Sequence, residues 1–222
     1  MTSRPTGSGS LLLYVGPMFS SKTTRLIHAI TIYADTGKKV LYVNHSIDNR
    51  GAAGQNETGV TTHNTNFKGL SSKVDWVKVS KLQDLSSKVD DYDVIGIDES
   101  QFFGDLEMMV RQWVNQKGKH VVCAGLDGDA EMKPFGQILN LVPICDNIVK
   151  LKASCEWCRL QIEEFHRVGL SMQPLQDAPF TRKKVVSTNG PDKQVEVGGA
   201  DVYEPVCRYH HHHPSKIDLA LK

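Results

Sequence analysis

The chain lacks any apolar run near the roughly 20 residues needed to span a bilayer, and its first ten residues are polar and Gly/Ser-rich rather than shaped like a signal sequence. Both absences point to a soluble cytoplasmic protein without a membrane partner, with residues 1–10 as a flexible leader. A charge of one sign is also missing: 26 Lys and Arg stand against 25 Asp and Glu, so no global field recruits nucleic acid or an acidic surface. Cysteine is scarce, 5 in 222 residues, which excludes the disulfide framework of a small secreted scaffold. With 40% hydrophobic residues, the chain can bury a core large enough for one domain plus an appendage.

What is present begins with Gly16-Pro17-Met18-Phe19-Ser20-Ser21-Lys22-Thr23. A phosphate-binding loop places glycine, four residues and Gly-Lys-Ser/Thr between a strand and a helix. Its backbone N–H groups curl around phosphate while the lysine reaches the β and γ oxygens and the hydroxyl meets Mg²⁺. Gly16, Lys22 and Thr23 fit that spacing, whereas Ser21 stands where the second glycine belongs. The flanks supply the context: residues 11–15 form an apolar strand, and Leu26, Ile27, Ile30, Tyr33 and Ala34 give a helical face that ends at Gly37.

Further strands are expected over 39–44, 76–79, 94–97, 120–124 and 147–151. Asp105 is placed to cap a helix whose core stripe includes Met108, Met109 and Trp113. Residues 47–67 read as a long mobile loop. Strands alternating with helices predict an α/β fold, a parallel sheet covered on both faces. Residues 11–152 then form a P-loop nucleotide-binding domain, and a polar, Pro/Gly-rich segment over 153–222 forms a second unit.

Four residues of that second unit suggest a metal. Cys155-x₂-Cys158 and Cys207-x₂-His210 give two pairs, each able to sit on a tight knuckle, and together they make the closed tetrahedral donor set of structural Zn²⁺. Their separation is longer than in ordinary zinc ribbons. Cys123 and Cys145 read as small core residues, and the histidines after His210 as solvated.

The strand over 94–97 ends in Asp98-Glu99. A carboxylate at that edge can hold Mg²⁺ beside a γ-phosphate, and the next one is placed to accept the proton of an attacking hydroxyl or to orient a water. Superficially, Asp98-Glu99-Ser100-Gln101 also looks like a helicase acidic box. Residues 150–222 carry near-balanced charge, however, and a helicase motor needs two such lobes, so a nucleic-acid-dependent ATPase is the weaker reading.

These motifs join into a wider pattern. Gly16 to Ser20 with Lys22, Ile95-Gly96-Ile97-Asp98-Glu99 with Gln101-Phe102-Phe103, Leu126-Asp127-Gly128, Lys133-Pro134-Phe135-Gly136, Leu139-Asn140-Leu141-Val142-Pro143, Cys155-x₂-Cys158, and the run from Val195 through Tyr203 to Cys207 together resemble type II thymidine kinases. The resemblance implies ATP- and Mg²⁺-dependent phosphorylation of the 5′-hydroxyl of thymidine or deoxyuridine, with Glu99 as general base. It assigns the cofactor to Gly16, Pro17, Met18, Phe19, Ser20, Ser21, Lys22, Thr23, Asp98 and Gln101. It assigns the nucleoside to Met18, Phe102, Leu126, Phe135 and Tyr203, with a lasso that includes Val195, Val197 and Gly198 reading the base through backbone groups. Structural zinc at Cys155, Cys158, Cys207 and His210 would fix the ends of that zinc-ribbon and lasso unit. A cytosolic homotetramer inhibited by dTTP is the family expectation.

The chain departs from the family pattern at Ser21, at Ala130, where an aromatic pocket residue is common, and at Asn64, where aspartate is common. It also carries an insertion after Cys158 and a one-residue shortening near Val197-Gly198. Two alternatives follow: a broader deoxynucleoside kinase, and a kinase fold weakened at Ser21 that acts by binding nucleoside or nucleotide.

Overall fold

The computed structural model describes residues 9–47, 71–169, 174–184 and 199–213. The expected loop over 47–67, including Asn64, and the lasso residues Val195, Val197 and Gly198 lie almost wholly or wholly outside them. The chain divides into two compact units.

The first unit is built on six parallel strands: β1 (Ser10–Val15), β2 (Val40–His45), β3 (Val74–Val79), β4 (Val94–Ile97), β5 (His120–Gly125) and β6 (Asn147–Lys150), in the spatial order β3-β2-β4-β5-β1-β6. Because side chains alternate along a strand, the inner strands feed two cores. Leu11, Leu13, Val15, Leu41, Val43, Ile95, Ile97, Val121 and Cys123 pack on one face with helix α2 (Leu106–Asn115). Val40, Tyr42, Val94, Val122 and Ala124 pack on the other with Leu26, Ile27, Ile30 and Ala34 of helix α1 (Lys22–Asp35). Each fully buried Leu or Ile contributes about 1.5–3 kcal/mol. Helices therefore cover both faces, and every strand presents its C-terminal end at the same edge.

Three expectations are corrected here. Met108 is 57% exposed, while Met109 and Trp113 are buried; a stripe of two turns needs only the positions 106, 109, 110, 113 and 114. Asp105 precedes α2, but its carboxylate accepts the N–H groups of Leu82 (3.2 Å) and Gln83 (2.9 Å) and caps the short 3₁₀ turn Leu82–Leu85 instead. Cys145 is half-buried, its thiol donating to the Val142 carbonyl (3.2 Å) at the start of the edge strand β6.

The second unit holds β7 (Ala153–Ser154), α3 (Glu156–Arg167), β8 (Asp177–Ala178), β9 (Phe180–Lys183), β10 (Tyr203–Val206) and α4 (Arg208–His212). β7 pairs antiparallel with β8, and β9 with β10. Its buried hydrophobic cluster is small: Cys155, Ala178, Val206 and Cys207, flanked by Ala153, Trp157, Cys158 and Phe180. A core of this size needs a staple. Helix α3 was not expected from sequence; no residue of it is buried, and it is laced by Arg159 with Glu156 and Glu163 and by Arg167 with Glu164.

Candidate active site and metal centre

In a parallel α/β sheet, ligands bind beyond the C-terminal ends of the strands. β1 leads there into the candidate phosphate loop. Gly16 has φ 148°, and a Cβ on it would lie 2.5 Å from the Leu151 carbonyl oxygen, so only glycine fits. Phe19 (φ 64°) and Ser21 (φ 63°, ψ 28°) are left-handed. The Ser20 hydroxyl donates to the Pro17 carbonyl (2.8 Å), and the Met18 N–H donates to the Thr181 hydroxyl (2.9 Å). Ser21 is exposed and precedes α1 without a side-chain capping bond, while its carbonyl accepts the Arg25 N–H at 3.0 Å. The first turn of α1 carries no acidic residue and opens on Lys22. Such a helix start, with N–H groups beyond the reach of intrahelical acceptors, suits phosphate.

Beyond β4, the buried Asp98 carboxylate accepts the Tyr42 hydroxyl (2.8 Å) and the Glu99 N–H (3.0 Å), and the nearby Thr23 hydroxyl also favours its charged form. Burial, and then the Glu99 charge, push Asp98 up to about 6. A carboxylate so poorly solvated, beside a second carboxylate and a hydroxyl, offers a hard all-oxygen donor set that suits Mg²⁺.

Glu99 is itself left-handed (φ 48°, ψ 39°), and its Oε2 accepts the Gln101 side-chain amide at 2.7 Å. Phe102 and Phe135 meet edge to face, centroids 5.6 Å apart, and Leu126 follows β5. Lys22, Thr23, Asp98, Glu99, Gln101, Phe102, Leu126 and Phe135 all belong to the first unit; Gly16, Pro17, Met18, Phe19, Ser20 and Tyr203 belong to the second.

In the second unit His210 Nδ1 lies 3.4 Å from the Cys155 sulfur, 3.4 Å from that of Cys158 and 3.3 Å from that of Cys207. All four ligand atoms fall within 4.8 Å of one another. Tetrahedral bonds of about 2.3 Å to sulfur and 2.0 Å to nitrogen separate S and N by roughly 3.5 Å, so the cluster fits Zn²⁺. Burial holds His210 below the usual imidazole range, which favours the neutral ring that a metal ligand requires. Burial, and then Cys155, push the Cys158 thiol up to about 12. Crowded thiols of this kind ionise when a divalent cation takes the charge. The pairs are not isolated knuckles: Cys155 and Cys207 precede α3 and α4, and Cys158 and His210 stand one helical turn on. Nor is His211 solvated, since its Nε2 bonds the Ala130 carbonyl at 2.9 Å.

Sequence reading did not single out Tyr42, Thr181, Arg182 or Glu204. Arg182 donates from Nε to Glu204 Oε1 (3.0 Å), from Nη2 to the same oxygen and from Nη1 to the His210 carbonyl, and its guanidinium lies 4.9 Å from the Trp157 ring centroid.

Comparison with known proteins decides among the chemistries such a site allows. The family model described as "Thymidine kinase" matches residues 9–211. The chain belongs to the thymidine kinase family. It is 35% identical over 200 residues to a thymidine kinase of Choristoneura biennis entomopoxvirus, covering 90% of this chain and 94% of that protein. Against a thymidine kinase of Vaccinia virus (strain Ankara), identity is 35% over 202 residues, 90% of this chain and 95% of the other. The plant relative from Oryza sativa subsp. japonica, also a thymidine kinase, is 35% identical over 217 residues, 95% of this chain and 69% of its own length. Membership makes the chain an enzyme of the thymidine kinase type, a phosphotransferase acting on thymidine. Among the described residues, no helix is long and apolar enough to cross a membrane.

Proposed function

We propose that the chain transfers the γ-phosphoryl group of ATP to the 5′-hydroxyl of thymidine, and of deoxyuridine, with residues 11–152 as the nucleotide-binding domain and 153–222 as the zinc and lasso domain. The observation that carries this reading is the meeting of the Thr23 hydroxyl and the Asp98 carboxylate beside Glu99. The N-terminus of α1 and Lys22 receive the phosphates, with Gly16, Pro17, Met18, Phe19, Ser20 and Ser21 shaping the loop. Thr23 and Asp98 would hold Mg²⁺, which when bound would neutralise charge developing on the transferred phosphate. The Glu99 carboxylate takes the 5′-hydroxyl proton as that oxygen bonds to phosphorus and ADP leaves. For the nucleoside the resemblance names Met18, Phe102, Leu126, Phe135 and Tyr203, and for the edge of the base the backbone of Val195, Val197 and Gly198. Zn²⁺ at Cys155, Cys158, Cys207 and His210 is structural. A cytoplasmic homotetramer with dTTP as feedback inhibitor, and with neither nucleic acid nor membrane as partner, completes the reading.

The test is ATP-dependent formation of thymidine monophosphate, with Glu99→Gln assayed in parallel. Turnover by the parent and a loss of about 10²-fold or more in the variant are expected; a variant as fast as its parent removes Glu99 from the role of base. The left-handed Ser21 favours a second reading, a kinase slowed at its phosphate loop. Under it, the parent turns over slowly or not at all and Ser21→Gly raises turnover.

A further inference from the structure

The Gln101 side chain is 3% exposed, and both ends of its amide are engaged. The Leu126 N–H can only donate, so the atom it meets at 3.0 Å is Oε1. Nε2 must therefore face the other way, where it donates to Glu99 Oε2 at 2.7 Å. The amide cannot turn over without setting two donors against each other. Its surroundings press on it from two further sides. A Cβ at Gly125 would lie 2.6 Å from Gln101 Oε1, and one at Gly136 would lie 2.0 Å from the Gln101 carbonyl oxygen. Glycine at both positions leaves room for one placement of this residue. Ser100, fully buried, ties the same turn down through its hydroxyl bond to the Ala124 carbonyl at 2.8 Å.

We infer that Gln101 is a positioning residue for the general base: its amide holds one oxygen of Glu99 and so sets the plane in which the carboxylate meets the nucleoside hydroxyl, rather than binding the nucleotide cofactor. Glu99 stands immediately before the short 3₁₀ turn Ser100–Phe102, which carries Gln101 and brings its amide back onto the Glu99 carboxylate. The tether from Gln101 constrains that carboxylate, and through Oε1 it is itself anchored to the backbone just beyond β5, where the amide has no freedom. Orientation of this kind acts on the chemical step more than on substrate binding, because a base displaced by about 1 Å costs on the order of a hundredfold in rate.

This inference rests on the phosphoryl-transfer reading, and its experiment separates the two. Gln101→Met keeps the length and loses the amide; Gln101→Glu keeps an acceptor for the Leu126 N–H but sets a second carboxyl against Glu99, which it can meet only by sharing a proton, so it serves where the first variant folds poorly. Steady-state kinetics with thymidine and ATP, urea unfolding, and a double-mutant cycle with Glu99→Gln are measured together. The expected result is a fall in kcat of about tenfold to a hundredfold in both variants, thymidine and ATP KM within about twofold, and no further loss when Gln101→Met is added to Glu99→Gln. A variant with parental kcat overturns the inference. So does a loss carried by ATP KM, or losses that multiply with Glu99→Gln. A parent chain with no thymidine turnover removes the transfer reading and this inference with it, whereas a turning-over parent beside an equally fast Gln101→Met removes this inference alone.

Discussion

Replacing Arg182 with Met should loosen the zinc unit more than any exposed charge change could. Arg182 and Glu204 form a buried pair, their side chains 10% and 8% exposed, so solvent screening relieves little of the penalty when one partner is removed. Breaking such a pair strands the other charge and costs roughly 3–5 kcal/mol. The His210 carbonyl also loses its guanidinium donor, worth about 1 kcal/mol more. Removing both charges together is a different case: Arg182→Met with Glu204→Leu leaves no stranded carboxylate, so only the carbonyl and the stacking on Trp157 are lost, and the double variant should sit about 1–2 kcal/mol below the parent. The assay is urea unfolding at fixed zinc, read alongside the rate at which a chromophoric chelator strips the metal. The single variant should unfold earliest and lose zinc fastest, with the double variant between it and the parent. A single variant within about 1 kcal/mol of the parent, or a double variant worse than the single, would refute the argument that Glu204 is stranded.

Two other perturbations test the nucleotide edge. Ser21→Gly should stabilise the protein by up to about 1 kcal/mol, because a left-handed non-glycine costs about 1–2 kcal/mol and glycine's added unfolded-state freedom returns about 0.5–1; turnover should be equal or faster, and a destabilised variant in thermal melts would reveal a contact of the hydroxyl that offsets the strain. Asp98, raised to about 6 by burial and then by Glu99, binds its proton more tightly folded than unfolded. The stability it contributes is thus complete below about pH 4 and is lost as pH rises through about 6. In unfolding experiments without added Mg²⁺, the parent should lose about 1.4 kcal/mol more than Asp98→Asn between about pH 5 and about pH 8, and equal slopes for the two proteins would contradict the burial argument.

The parts of the fold legible in sequence are those whose signal is periodic and local. β1 and α1 are read directly because residues 11–15 are all apolar and Leu26, Ile27 and Ile30 recur at helical spacing; Leu11, Leu13, Val15, Leu26, Ile27, Ile30 and Ala34 are buried, while Leu12, Tyr14 and Tyr33 are only partly so. The Asp98-Glu99 pair was readable for the same reason, as the end of an apolar strand. Helix α3 was missed although Trp157, Cys158, Ile162 and Phe165 recur at helical spacing: those residues are only partly buried and stand among Glu, Gln and Arg, so the segment reads as polar; its ion pairs one turn apart were a further sign. Met108 was misplaced because a hydrophobic residue next to a stripe looks like part of it until the crossing angle is known. The bonds from Thr181 to Met18, from Tyr42 to Asp98 and from Arg182 to Glu204 join residues far apart in the chain. No spacing rule reaches them.

Backbone strain ties these observations to chemistry. Among the described residues, four non-glycines have positive φ: Phe19, Ser21, Glu99 and Met132. Three of them stand within the segments assigned to phosphate binding and proton transfer. Such conformations cost about 1–3 kcal/mol each and persist only where packing over-determines them; here the buried strands β1 and β4 run directly into the strained turns. The cost is of two kinds. At Glu99 glycine would relieve it but remove the carboxylate, so the strain is inseparable from the base and is held in place by the Ser100 and Gln101 bonds. At Ser21 the side chain makes no capping bond, and glycine would relieve the strain without removing a group used in transfer. The left-handed serine is therefore a cost that the proposed chemistry does not require.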